Sequence, residues 1–127
     1  MREIKFRAWD KENKEMLDIE DLHWDDCTRE FLIRTTIYSD YFDIQDMILM
    51  QYTGLKDKNG KEIYEGDIVK IDCPTMKMTG EIKYSGMSAM FYIYDEIYDI
   101  EEDLWYQEKE YEVIGNIYEN PELLKGE

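Results

Sequence analysis

Turn-forming residues cut this chain at close intervals into short runs of alternating or β-branched residues, a punctuation that suits strands and leaves little room for helix. Ile4, Phe6 and Ala8 alternate with Lys5 and Arg7, the period of a strand with one wet face. The polar DKENK stretch after Trp9 reads as a turn, and EMLDI (Glu15 to Ile19) as the returning arm of a hairpin. From Glu20 to Asp26 the chain is acidic and irregular around His23 and Trp24. REFLIRTTIY (Arg29 to Tyr38) is β-branched and aromatic, hence a strand. SDYFDIQD fits a helical turn or a loop, and MILMQY (Met47 to Tyr52) a buried strand. Further strands are expected at DIVKI, GEIKYS and AMFYIY, and from Tyr111 to Tyr118. YDIEEDLWYQ reads as a strand edge or a short helix, and Asn120-Pro121 as the start of one helical turn.

The segment QYTGLKDKNGKEIYEGDIVKI, from Gln51 to Ile71, concentrates the turn signals. Asn59-Gly60 tolerates the positive φ that tight turns need, and Glu65-Gly66-Asp67 breaks the chain again before DIVKI. Gly54, Asn59, Gly60, Gly66 and Asp67 are therefore expected to serve backbone geometry. From Gly54 to Lys83 six lysines balance six acids, the composition of a structural corner and not of a basic binding site. The pattern predicts a mainly β protein with a small SH3-like barrel over residues 51–127. An N-terminal hairpin or second small β subdomain is expected over residues 1–50, the two forming one compact unit.

With 127 residues, 43% hydrophobic and 14% aromatic, the chain can bury a core and is no disordered acidic tail. Its 31 acids against 15 bases give a formal net charge of −16. Phosphate binding draws on clustered Lys and Arg, so direct binding of nucleic acid is disfavoured, and so is an anionic membrane surface. No apolar run approaches the roughly 20 residues of a membrane span. MREIKFRAWD lacks the apolar core of a signal peptide, so a cytoplasmic location is expected. Cys27 and Cys73 lie far apart and suggest reduced thiols.

IKFRAWD near the start, MQYTGLKDKNGKEIYEGDIVK in the middle and YEVIGNIYENPELL near the end resemble the YopX family of small phage and prophage proteins of Gram-positive bacteria. The likeness runs from Arg2 to Leu124, and its middle motif, Tyr52 to Asp57 with Tyr64 to Asp67, is long and specific. The stretch from about Leu22 to Met47 carries no family feature. The resemblance implies a phage or prophage origin and a β-rich fold. It carries no catalytic residue and no cofactor over to this chain.

Chemistry has few starting points. His23 and Cys27 could be read as a metal site or a nucleophile pair, which would make a small enzyme or metal-binding protein the alternative function. A structural zinc site wants four Cys or His ligands and the chain has three, so no metal and no cofactor are expected. A Cys–His pair also needs an orienting third group and an oxyanion site, and no such motif surrounds either cysteine. Ser39, Ser85 and Ser88 lie outside any G-x-S-x-G pattern, no P-loop is present, and carboxylate pairs among 31 acids arise by chance. No catalytic residue is assigned.

The sharpest asymmetry is charge. Asp95, Glu96, Asp99, Glu101, Glu102, Asp103, Glu108, Glu110 and Glu112 face only Lys109, a net charge of −8 within one stretch, with Trp105 among them. Either this is a solvated face with its aromatics turned inward, or it is an interaction surface for a basic host or phage protein. In the second case charge steers association and an aromatic anchors it. One version of that reading is mimicry of a nucleic-acid backbone. Homo-oligomers through an exposed edge strand are a further expectation.

Overall fold

The computed structural model describes residues 3–36, 41–73, 76–104 and 111–125. The chain divides into two compact units, Glu3–Gln51 and Tyr52–Glu127. Strands β1 (Phe6–Asp10), β2 (Glu15–Asp25), β3 (Glu30–Thr35) and β4 (Tyr41–Asp43) precede a 3-10 turn at Ile44–Asp46. Strand β5 (Met47–Lys56) runs from the first unit into the second. There follow β6 (Glu62–Tyr64), β7 (Asp67–Cys73), β8 (Met76–Ser85), β9 (Met90–Asp95), β10 (Ile100–Asp103), β11 (Tyr111–Asn116) and a 3-10 helix at Pro121–Lys125.

In the first unit the strands lie in the order β4-β3-β2-β1-β5, each pair antiparallel. Ala8 stands opposite both Leu17 and Leu49, so the alternation of three strands falls on one face. Ala8, Leu17, Ile33 and Met47 form the buried core, with Ile19, Leu22, Phe42 and Leu49 against it. The N-terminal region thus supplies five strands of a six-stranded sheet, more than a hairpin and in keeping with the other expectation, a second small β subdomain. Strand β2 also continues through Asp25 where irregular chain was expected. A register shift between Ile19 and Asp21 breaks the two-residue period there, which disguises the strand in the sequence. Beyond the shift, Leu22 and Trp24 stand opposite Ile33 and Phe31.

The second unit repeats this strand order. Its sheet runs β10-β9-β8-β7-β11, again antiparallel throughout, so each unit is a four-stranded meander whose fifth strand returns to the first. Ile63, Val69, Ile71, Met78, Ile82, Ile93 and Tyr111 make the core, backed by Leu55, Leu104 and Val113. The mainly β class holds. Among the described residues the pairings do not close into a ring: β10 and β11 end the order, and β6 pairs with β5. No closed barrel of the expected SH3-like kind is formed there.

Both units use one turn device. Four hairpin loops of four residues end in a left-handed non-glycine residue: Lys14, Arg29, Ala89 and Asp99, with φ of 54°, 58°, 54° and 52°. A left-handed residue costs roughly 1–2 kcal/mol. The residue before each loop offsets that cost by accepting N–H groups with its side chain. Asp10 Oδ1 accepts from Glu12 and Asn13, Asp25 Oδ1 from Cys27, Ser85 Oγ from Ser88, and Asp95 Oδ1 from Ile97 and Tyr98.

Candidate functional site

The glycine- and lysine-rich segment comes out as architecture. Gly54, Gly60 and Gly66 all have positive φ, at 90°, 84° and 84°. Asp57 Oδ1 accepts the N–H groups of Asn59 and Lys61, while Oδ2 accepts that of Val113, 56 residues on, at 2.9 Å. Burial pushes the Asp57 carboxyl up, but the N–H groups of Val113, Lys61 and Asn59 and the Lys61 charge hold it below its ordinary value. The Asp67 carboxylate accepts the Tyr64 N–H at 2.8 Å. The Gly66 N–H donates to the Ile82 carbonyl, and the Gly66 carbonyl accepts from Ile117. A loop, two core strands and the C-terminal region thus converge on these few residues.

The acidic stretch is divided by the fold. Trp105, Glu108 and Glu110 lie outside the described residues. Glu112 sits on β11, at the opposite end of the strand order from β10, and forms an ion pair with Lys58 at 3.5 Å. Sequence proximity misled here because β11 returns to β7 instead of continuing beside β10. Asp95 is a second correction: it is 5% exposed and its carboxylate caps the turn, so it belongs to no open surface. Glu96, Asp99, Glu101 and Asp103 are exposed, with Glu102 half-buried.

On one face of β8–β10 these acids meet tyrosines. The cross-strand pairs Glu101–Tyr94 and Asp103–Tyr92 set carboxylates beside half-buried rings, with Glu81 and Lys83 next along the same two rows. The Tyr94 hydroxyl donates to Asp99 Oδ1 at 2.9 Å, and Lys83 Nζ sits 4.9 Å from the Tyr94 ring centre. That hydrogen bond, then burial and the charges of Asp99, Glu96 and Glu101, raise the Tyr94 phenol above its ordinary value. Burial pushes Glu81 up as well, opposed by Lys83 and reinforced by Glu96. The Tyr94 hydroxyl therefore lies in negative potential. Ile93 between them is core, and Phe91 packs edge-on to Tyr84 at 5.1 Å.

The turn joining β9 and β10 borders a second feature that composition did not single out. A groove of about 500 Å³ is lined by Lys70, Lys77 and Lys125, by Ile97 and Tyr98 of the turn, and by Leu123 among its apolar residues. Lys70 and Lys77 belong to the charge-balanced segment. That local balance inside a chain of net charge −16 is the one signal that pointed to them.

His23 and Cys27 are both exposed. His23 lies in β2 with its ring 6.0 Å from that of Tyr41, and Cys27 occupies the β2–β3 turn. Among the described residues no cluster of three or more His, Cys, Asp or Glu is placed to hold a metal ion. Nor is any helix there long and apolar enough to cross a membrane.

Fold and surface together describe a mainly β protein of two antiparallel sheets, of six and five strands, with a repeated five-strand order and an acidic, tyrosine-lined face. The chain belongs to the YopX family, whose model, described as YopX protein, matches residues 5–125. It is similar to the crystal structure of protein EF1440 from Enterococcus faecalis at 34% identity and a TM-score of 0.70, covering 98% of this chain and 99% of that one. It is also similar to protein yopX from Bacillus subtilis at 27% identity and a TM-score of 0.65, covering 100% of this chain and 99% of that one. No curated protein matches.

Proposed function

We propose that this protein is a non-enzymatic interaction module that takes a basic segment of another protein, of host or phage, onto the β8–β10 face. One observation carries the reading. Glu101 and Asp103 stand beside Tyr94 and Tyr92 on one exposed face, and the protein's own Lys83 ammonium already rests over the Tyr94 ring. A partner Lys or Arg would find the same environment, in which a ring-to-cation contact contributes about 0.5–1 kcal/mol at an exposed site. The carboxylates would steer the encounter and fix register more than they add affinity. The partner is defined by chemistry, a basic and extended surface, and a protein that normally holds nucleic acid there would be one such case.

The test is capture from host-cell lysate at low and moderate salt, beside a bait carrying Glu101→Gln, Glu102→Gln and Asp103→Asn. A basic protein retained by the first bait and lost from the second is the expected result. Its displacement by added DNA would identify mimicry of a nucleic-acid backbone. Identical captures by both baits would refute the reading, leaving these acids a solvating role.

A further inference from the structure

The lysine-lined groove of the second unit stands out against the composition. Acids outnumber bases 31 to 15, so most lysines can find a carboxylate partner. Among the described residues, Lys70 and Lys125 form no ion pair, though Glu112 stands opposite Lys70 across β7 and β11, and Lys77 reaches only Asp72 at 3.7 Å on an open surface. The groove between them is more apolar than polar, with Ile114 and Leu123 in its lining beside Ile97 and Tyr98, and with Asp95, whose Oδ1 is taken up by its own turn, also in the wall. Tyr98 is 72% exposed and Ile97 52%, a cost in open apolar surface that marks contact sites. Whatever fills the groove must therefore offer carboxylates at its flanks and a large apolar group between them.

The chain displays such a segment at the lip of the groove. Glu96-Ile97-Tyr98-Asp99 is the β9–β10 turn, with both acids exposed. Its shape is held by Asp95 beneath, whose Oδ1 accepts the Ile97 and Tyr98 N–H groups at 3.0 and 3.3 Å. One patch thus carries the lysines, the apolar floor and an acidic, apolar tip. That is the requirement for an isologous contact, in which a two-fold axis lays a patch on a copy of itself. We propose that two copies of this chain associate through this patch, the Glu96–Asp99 turn of each seated in the lysine-lined groove of the other. Tyr98 supplies the buried anchor, and Glu96 and Asp99 meet Lys70 and Lys125. The contact does not use the Glu101 and Asp103 row on β10; Asp99 also accepts the Tyr94 hydroxyl of that face, so Tyr98→Ser and Lys70→Glu/Lys125→Glu are the variants that separate this contact from the proposed function.

Sedimentation velocity from micromolar to millimolar concentration tests it, with three variants checked for native circular dichroism. Tyr98→Ser removes the anchor without touching charge, and is expected to shift the protein to monomer. Lys70→Glu/Lys125→Glu and Glu96→Lys/Asp99→Lys each set like charges across the contact twice over. Each is expected to weaken association on the order of a hundredfold. Mixing the two charge-reversed proteins should restore a dimer that neither forms alone. A wild-type protein that stays monomeric at every concentration overturns the proposal. So does a dimer indifferent to all three variants, which would place the contact on a sheet edge instead.

Discussion

Asp57 offers the most direct test of how this fold is held. It is 4% exposed, and its two oxygens accept three backbone N–H groups, two from its own turn and one from Val113 on β11. Hydrogen bonds to a charged group contribute about 1.5–3 kcal/mol each, and a buried donor left without an acceptor costs about 1–3 kcal/mol. The three share one carboxylate, so their losses do not add fully, and Asp57→Ala should destabilise by about 3–5 kcal/mol. Asp57→Asn keeps one acceptor oxygen and turns an N–H₂ toward a donor, for a loss of about 2 kcal/mol. Urea titration followed by circular dichroism reads both values, and amide exchange at Val113 reports the local opening. The pH dependence supplies the sign check. A carboxyl held low in the folded state stabilises above its unfolded pKa of about 3.9, and that stability is lost as the pH falls through the lower folded value. The gap between wild type and Asp57→Asn should therefore close on acidification below about pH 4. Losses below about 1 kcal/mol for both variants, or a gap independent of pH, would refute the reasoning.

Three further outcomes follow from the geometry. A Cβ at Gly80 would lie 2.4 Å from the Tyr94 carbonyl oxygen and 2.9 Å from Ile93 Cγ1, so Gly80→Ala should cost about 2–3 kcal/mol in the same titration. The hydrogen bond of Glu30 to Asp43, then the charge of Asp43, slight burial and the charge of Asp25, raise the Glu30 carboxyl above its ordinary range. Wild type should therefore gain stability as the pH falls from the raised value toward the ordinary one, and Glu30→Gln should flatten that rise in a pH series of melting curves. Asp95→Ala should lower the melting temperature by several degrees through the lost turn cap, about 1 kcal/mol, whereas Glu96→Gln, one residue on and exposed, should leave it unchanged.

Local pattern made much of the fold legible. The first hairpin, the strands at DIVKI, GEIKYS and AMFYIY, and the helical turn after Asn120 all lie where alternation and turn residues put them. What escaped depends on distant pairing. Nothing within Met47–Gln51 states that it will lie against Phe6–Asp10, and nothing within Tyr111–Asn116 states that it will lie against Asp67–Cys73. Those two returns give each unit its five-strand order, and the second sends Glu112 away from Glu101. Reading the acids as one stretch therefore joined residues that the topology separates. The groove was hidden for a similar reason: Lys70, Lys77 and Lys125 come from three elements and meet only in the folded sheet.

The acidity itself divides by residue type. Among the described residues, every acid in the buried class is an aspartate: Asp10, Asp57, Asp67 and Asp95. Each accepts backbone N–H groups next to a turn. One methylene between backbone and carboxylate lets Asp reach the N–H groups two or three residues away, whereas the longer Glu side chain overshoots them. Asp10 shows the consequence: burial pushes its carboxyl up, yet the hydrogen bonds from Asn13 and Glu12 hold it below its ordinary value. A net charge of −16 is thus two quantities. The buried aspartates act on folding, as acceptors for backbone N–H groups. The exposed acids on β10 and the turn before it stand on the surface instead, Asp99 as acceptor for the Tyr94 hydroxyl, and they are the ones a partner would meet. Replacing acids indiscriminately would confound the two effects, so any charge-neutralised form used to seek a partner should keep its buried aspartates and change only the exposed row.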